Sequence, residues 1–491
     1  MNSTVIVFLI GYFVVVLGIG FWAMRRGAGD SLEGFLLGGR RVGPIATALT
    51  LQSTSMSGYM FLGAGALGYL QGYWALWYAV GDIGSGVLSL SVIGRRMRRL
   101  SKIMGALTSI EYLEKRYPSP AIRLIGGMLT VFLLGAYVLA QFIAGGKGMA
   151  LVTGMPYGLA LLIAVSIIML YTLLGGYLAV AYTDLFQAVV MLIGMIWIAV
   201  AALSAMGGLT AANEAIGSLD PTLLSVWGRG LEYEGQWGIA MGAVMVFSIG
   251  TLGWPHLVTR HMAMARPETA RRAGGYATAF SLLFVSTPYL VGILAIVILP
   301  GLDDPEMAIF SVAERLLPPA ITGVVMAAIM AAIMSTADSL LLQTGSVASR
   351  DIYQRFLNKN ASERQMVQVS RALVLAIGAV GYGIALVEPP SVFGIVVFTT
   401  SILGSAFVPS FVCAVWWRKA NTPGALASMI TGASIAFIWE FAALARTTGW
   451  HPMLAGLLGS VVAMVAVSLA TQRTSPVPEH VLSAMDEAAV V

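Results

Sequence analysis

About thirteen stretches of this chain, each of roughly 20 mostly apolar residues, are long enough to cross the hydrocarbon of a bilayer as helices. They run near 4–24, 44–68, 72–94, 124–146, 156–174, 183–206, 236–258, 274–299, 319–347, 370–387, 391–417, 422–444 and 451–471. In lipid every backbone N–H and C=O has to be satisfied inside the protein, so such a chain is expected to be an all-α polytopic bundle. Charged residues make up only 10% of the 491 and hydrophobic ones 58%, where a soluble domain carries about 25% charge.

The charges test the span count independently. With the N-terminus outside, alternate loops hold Arg25, Arg26, Arg40 and Arg41, then Arg95 to Arg123, Arg260 to Arg272, Arg350 to Arg371, Arg418 and Lys419, and Arg473. Of the 28 basic residues only Lys147, Arg229, Arg315 and Arg446 fall on the opposite side. One missed span in the middle would scramble that bias, which puts the basic loops and the C-terminus in the cytoplasm of a bacterial-type inner membrane. The basic excess is therefore topological and does not indicate nucleic acid. Outer loops are acidic (Glu232, Glu234, Asp303, Asp304, Glu306) and read as a solvated rim. Thr4 to Met24 is followed by Arg25-Arg26, which reads as a first transmembrane helix and not a cleaved signal. The tail after Gln472 reads as flexible.

Polar residues inside spans mark the functional region. In 319–347 the run Met334-Ser335-Thr336-Ala337-Asp338-Ser339 puts three hydroxyls and a carboxylate into about one and a half turns, with Ser335 and Ser339 on one face and Asp338 beside Ser335. No cation in the segment neutralises them, and a bound monovalent cation would satisfy the oxygens. The plainer reading has the hydroxyls back-bonding one turn up and Asp338 pairing with a neighbouring helix. In 44–68, five of the six residues from Gln52 to Ser57 are polar at mid-bilayer depth, followed by Gly58, Gly63, Gly65 and Gly68. Irregular polar backbone there is tolerated where it lines a cavity, and discontinuous helices build the ion and substrate sites of secondary transporters. Small residues also let helices pack closely, which accounts for the glycines better than for the polar run. A second break, Ser248-Ile249-Gly250-Thr251-Leu252-Gly253-Trp254-Pro255-His256, lies five spans later, the separation a five-plus-five repeat requires. An ordinary proline kink is the alternative.

Asp184 opens the sixth span, as an N-cap or a site carboxylate. Asp82 and Glu440, without visible partners, read as structural, and Tyr73, Trp74, Trp77 and Tyr78 as an interfacial belt. Cys413 is the single cysteine, so no disulfide framework or thiol metal site is expected. No phosphate-cradling loop, metal-ligand spacing or nucleophile–base pair is present, which argues against a nucleotide-driven pump and an enzyme.

Gly38-Gly39-Arg40, Gly175-Gly176-Tyr177 with Thr183-Asp184 and Gln187, Pro255-His256, Met330 to Leu340, and Trp417 to Asn421 with Gly424-Ala425-Leu426 together resemble the sodium/solute symporters. That family includes bacterial proline and pantothenate carriers and the sodium/glucose cotransporters. The resemblance implies a leucine-transporter-type five-plus-five inverted repeat on spans two to eleven. The chain then divides into a first helix and inner loop at 1–43, a core at 44–417 with repeats near 44–206 and 236–417, two peripheral helices at 418–472 and a tail at 473–491. It also implies a sodium site between spans two and nine, from the backbone carbonyls of Ser53, Met56 and Ala332 and the hydroxyls of Ser335 and Thr336. A second cation site, present in some relatives, would draw on Asp184, Asp338 and Ser339. The solute cavity would be lined by Gln52, Ser53, Ser57, Phe247, Thr251 and Trp254.

Ser55 stands where the proline branch has an aspartate, and Phe247 and Thr251 where it has aromatics, which counts against assuming proline. Leu316-Leu317-Pro318-Pro319 and the region from Ile10 to Arg25 look closer to the pantothenate carriers. The expected function is sodium-coupled import of a small solute, in all readings of these branches carboxylate-bearing. A sugar or sialic-acid symporter, or a transporter-like sensor module, is the alternative.

Overall fold

The computed structural model describes residues 3–25, 31–387 and 391–489. Arg26, used in the charge pattern, lies outside the described residues. Among these every regular element is helical, apart from a single bridge between Val42 and Met264.

Helix α1 (Ser3–Arg25) leads through the short α2 (Leu32–Leu37) to α3 (Pro44–Ser55), which stops in mid-span and resumes through a wide turn at Met60–Ala64 as α4 (Gly65–Gln71). Next come α5 (Leu76–Ser89), α6 (Arg95–Ile103), α7 (Ser109–Arg116), α8 (Pro120–Thr153), α9 (Tyr157–Ala205) and α10 (Leu209–Leu219). The second broken span is α11 (Trp237–Phe247) and α12 (Pro255–Ala263), joined by a 3-10 turn at Ile249–Gly253. It is followed by α13 (Thr269–Phe284), α14 (Ser286–Ile298), α15 (Ala308–Leu316), α16 (Pro319–Val347), α17 (Glu363–Ala385) and α18 (Val392–Trp416). The chain finishes with α19 (Thr422–Phe441), α20 (Leu444–Thr448), α21 (Pro452–Ala470) and α22 (Glu479–Ala489).

Among the described residues ten helices are long and apolar enough to cross a membrane. The three expected spans missing from that set are the two broken ones and the first part of α9, where only Tyr157–Leu170 qualifies as a shorter apolar helix. The two broken spans fall short because their backbone is interrupted. Helix α9 also turns at Gly176, at φ 58° and ψ −158°, where a Cβ would also meet the Phe35 carbonyl at 2.9 Å. A left-handed residue pressed against backbone has to be glycine.

Burial sorts the helices. In the most apolar window of the span 319–357, 83% of residues are buried, against 33% in α1 and 28% in α17. Helix α16 is therefore the central post of the bundle, and α3, α8 and α9 pack around it.

Several expectations about the periphery change. Tyr78 and Trp74 are buried, so they are not an interfacial belt: Trp74 stacks on Tyr233 at 4.2 Å, and Tyr78 turns into the bundle. Glu306 is buried too, pulled in by Lys147, and does not belong to a solvated rim. Glu440 sits exposed in the last turn of α19. The tail, expected to be flexible, forms α22, because Val481, Ala484, Met485 and Ala488 share one face at helical spacing and bury it. Arg99 of α6 donates to the Ala488 carbonyl at 3.1 Å, and Arg418 pairs with Asp486.

Candidate functional site

The break after Ser55 decides the chemistry of α3. Continued as a helix, the carbonyls of Ser53 and Thr54 would accept from the N–H groups of Ser57 and Gly58. Met56 leaves the helical region (φ −95°, ψ 74°), and Gly58 N–H turns to Gln141 Oε1 at 2.9 Å. The two freed carbonyls meet hydroxyls of α16. Ser335 Oγ donates to Ser53 O at 2.9 Å and lies 3.1 Å from Ala332 O, and Thr336 Oγ1 donates to Thr54 O at 3.0 Å and lies 3.5 Å from Ser53 O. Ser53, Met56, Ala332, Ser335 and Thr336 are all 0% exposed. The structure thus brings Ser53, Ala332, Ser335 and Thr336 into one oxygen cluster, with Met56 at the cap whose N–H takes Gln52 O. Gly58 allows the approach: a Cβ there would lie 2.7 Å from Ile333.

Next to this cluster stands a residue that the charge pattern had placed in a loop. Arg260, near the end of α12, is 2% exposed and lies inside the bundle. Its Nη2 donates to Thr54 Oγ1 and Ser339 Oγ, both at 2.5 Å, and lies 3.4 Å from Asp184 Oδ2. Nη1 donates to His256 O at 2.8 Å, and Nε to Thr50 O at 3.2 Å. Thr50 Oγ1 donates to the same Asp184 oxygen at 2.5 Å, while Asp184 Oδ1 is buried without a hydrogen-bond partner. Asp184 and Ser339, expected to hold a second cation, therefore surround a guanidinium. Asp184 lies inside the second part of α9 and is not an N-cap. Asp338 is fully buried on the neighbouring face. A cavity of about 10 Å³, room for about one water, is lined by Thr108, Thr259, Arg260, Ser339 and Gln343 and reaches this cluster from the arginine-rich end.

The residues expected to line a solute cavity are all closed in, at 1% exposure or less. Gln52 Nε2 donates to Ser281 Oγ and to Ala277 O, so it ties α3 to α13. Ser57 Oγ accepts from Tyr137 OH at 3.1 Å and lies 3.3 Å from Gln141 Nε2. Thr251 Oγ1 is spent on Ser248 O at 2.6 Å. Phe247 stacks on Tyr59 with centroids 4.7 Å apart and meets Trp254 edge-on at 6.1 Å. Trp254 in turn stacks on His256 at 5.7 Å. The Trp254 Nε1 and both ring nitrogens of His256 are buried and unpartnered. Phe247 thus bridges the two breaks, stacked on Tyr59 beside one and edge-on to Trp254 at the other, while Gln52 points toward α13.

Ion pairs and hydrogen bonds tie helix ends together on either side of this region. On one, Lys147 Nζ donates to Glu306 Oε2 at 2.8 Å, and Glu306 Oε1 accepts from Val392 N–H at the start of α18, also at 2.8 Å. On the other, Arg40, held at φ 54°, donates to Ser101 Oγ, Met262 O and Ala106 O at 2.7–3.0 Å and pairs with Glu33. Nearby, Glu111 pairs with Arg350 at 3.1 Å and Lys115 at 3.4 Å. Burial pushes the Glu111 carboxyl up, but the charges of Arg350, Arg123 and Lys115 outweigh it and hold it below the usual carboxylate range.

The signal for Thr54 was present in the polar run of α3, and Thr50 lies one turn before it, at i−4. Arg260 was hidden by its place in a pattern of loop charges.

The chain is 28% identical over 99% of its length to the osmoregulated proline transporter OpuE of Bacillus subtilis, covering 99% of that protein. It is 29% identical over 96% of its length to sodium/proline symporter 2 of Staphylococcus saprophyticus, covering 94% of it. Among solved structures, a Na+-coupled sialic acid symporter in a substrate-bound outward-open state superposes with a TM-score of 0.77 at 18% identity, covering 96% of this chain and 98% of that one. Mhp1, a nucleobase-cation-symport-1 family transporter, gives 0.58 at 15% identity, covering 92% and 98%. The fold is accordingly the leucine-transporter type, with α3/α4 and α11/α12 as the broken helices that open the two repeats. The description of the sodium:solute symporter family matches residues 35–432, and the chain belongs to that family.

Proposed function

We propose that the chain imports a small carboxylate-bearing solute together with sodium, with proline the first solute to test, because relatives similar over nearly its whole length are named for it. The observation that carries the reading is the pair of carbonyls freed at Ser53 and Thr54 and faced by Ser335 and Thr336. Hydroxyls that now donate to those carbonyls can rotate and turn their lone pairs on a cation, so the same oxygens become ligands (Ser53 O, Ala332 O, Ser335 Oγ, Thr336 Oγ1), with Met56 O completing the set. Sodium bound there holds α3 against α16 and shapes the break where the solute sits. By linkage, sodium raises solute affinity by the factor by which solute raises sodium affinity. The unpartnered Trp254 Nε1–H and the single N–H of the His256 imidazole are the donors at hand for the solute carboxylate.

In this reading the arginine-rich end faces the cytoplasm of a bacterial inner membrane, with the N-terminus outside. A second sodium at Asp184, Asp338 and Ser339 would have to displace the Arg260 guanidinium, so one sodium accompanies each solute.

The test is uptake into proteoliposomes with Ser335→Ala and Thr336→Ala. Each is expected to raise the sodium concentration for half-maximal transport at least tenfold. Unchanged sodium dependence in both removes the proposal.

A further inference from the structure

Asp82, on α5, is an intramembrane carboxylate that reads as structural in the sequence for want of a visible partner, and the sodium cluster does not use it. It is 1% exposed, and among the described residues no lysine, arginine or histidine forms an ion pair with it. What it has are two phenols. Tyr59 OH donates to Oδ2 at 2.6 Å, and Tyr289 OH reaches the same oxygen at 3.4 Å. Phenols hydrogen-bond a carboxylate but do not cancel its charge, and a buried charge without an opposite one is costly.

One of these phenols, Tyr59, belongs to a closed circuit of four aromatic rings. Tyr59 stacks on Phe247 (4.7 Å, 6°), Phe247 meets Tyr78 at 5.9 Å, Tyr78 meets Phe393 edge-on at 5.2 Å, and Phe393 returns to Tyr59 at 6.3 Å. Ring faces carry negative potential and attract cations, and an aromatic cage is a recurrent binder of alkylated ammonium groups. A bare metal ion fits poorly, because hard cations take six or so oxygens and this place offers one carboxylate with its phenol hydrogens turned inward. A weakly hydrated organic ammonium matches both features. Phe247 also borders the α11–α12 break, and beyond it, 6.1 Å away, stands Trp254 with its unpartnered N–H. An acid bonded to Tyr59, which stacks on Phe247, and a free donor on Trp254, edge-on to the same ring, suit a zwitterion.

We propose that Asp82, bonded to Tyr59 of the ring circuit that Tyr59 forms with Tyr78, Phe247 and Phe393, is the specificity-determining residue that binds a positively charged ammonium on the transported solute. This rests on the sodium-coupled reading above and narrows it: the solute class becomes amino acids and betaines, and excludes carboxylates without a cationic nitrogen.

The test uses the purified full chain in detergent with saturating sodium, reading ligand-induced thermal stabilisation and converting it to affinity. The probes share a carboxylate and differ in nitrogen: proline, N,N-dimethylproline, glycine betaine, cyclopentanecarboxylate and pantothenate. At least one ammonium solute is expected to bind roughly 100-fold tighter than either nitrogen-uncharged acid, about 2.7 kcal/mol. Asp82→Asn is expected to abolish that preference. Cyclopentanecarboxylate or pantothenate binding as tightly as the ammonium solutes, no binding by any ammonium solute, or an intact preference in the variant would each overturn the assignment. Should Asp82→Asn fail to fold, the wild-type series decides alone. Repeating the series without sodium separates the two readings. Sodium-enhanced binding of pantothenate alone keeps the coupling and removes the ammonium site. Ammonium-selective binding indifferent to sodium does the reverse.

Discussion

The Nη2 of Arg260 donates to the hydroxyl of Thr54 at 2.5 Å, and the carbonyl of that same threonine accepts from Thr336 at 3.0 Å. One residue of the broken helix thus joins a buried ion pair to the oxygen cluster between α3 and α16. Any movement that carries Arg260 away from Asp184 pulls on the carbonyl that faces Thr336.

Removing one partner of a buried pair strands the other charge, at a cost of about 3–5 kcal/mol. Arg260→Gln and Asp184→Asn are each expected to lose about that much, and the double variant less than their sum. Unfolding in detergent measures this, and additive losses would show the pair is not coupled. In wild type, with the membrane potential held at zero, the logarithm of the steady solute gradient plotted against the logarithm of the imposed sodium gradient should give a slope of one. A slope of two would show that Arg260 does not keep a second sodium out.

Gly58→Ala places a methyl 2.7 Å from Ile333 and 3.0 Å from Gln141 Oε1. Overpacking of this kind costs about 1–3 kcal/mol. Here it also separates the break from α16, so sodium affinity is expected to fall more than protein yield. Titrating sodium against solute binding checks it, and an unchanged affinity would mean the two segments do not need their present spacing.

Glu306 holds Lys147 on α8 and caps the N-terminus of α18 through Val392. Glu306→Ala is expected to raise amide exchange in 304–316 and in the first turn of α18, with no change around Arg40 at the far end. Equal protection in variant and wild type would mean this latch carries no weight.

Glu111 supplies a pH dependence whose sign is fixed. Its carboxyl is held below the usual range by Arg350, Arg123 and Lys115. The stabilisation is therefore fully present above the ordinary glutamate value, near pH 4.3, and is lost as pH falls through the lowered one. Glu111→Gln is expected to cost about 1–3 kcal/mol at pH 7, with the gap to wild type closing only below about pH 4. Thermal unfolding at pH 7 and pH 3.5 tests this, and a gap that persists at the lower pH would show that the loss is not electrostatic.

Apolar length and polar interruption are local properties, so the sequence by itself determined the helical membrane architecture, the two broken helices and the facing stretches Gln52–Ser57 and Met334–Ser339. Ser53, Ala332, Ser335 and Thr336 come together because a helix break frees carbonyls at a definable place, and because hydroxyls at i and i+1 on a crossing helix are suited to meet them. Charge counting reads only side chains that stay in loops. It failed for Arg260 and Glu306, because whether a charge near a span end faces solvent or turns into the bundle depends on which helices lie beside it. The same holds for Asp82. Its partners Tyr59 and Tyr289 are 23 and 207 residues away in sequence, so no spacing rule could pair them. Tyr78 looked interfacial by position and is buried by packing. Only the tertiary structure decided these, since the free energy of a buried charge is set by its neighbours in space.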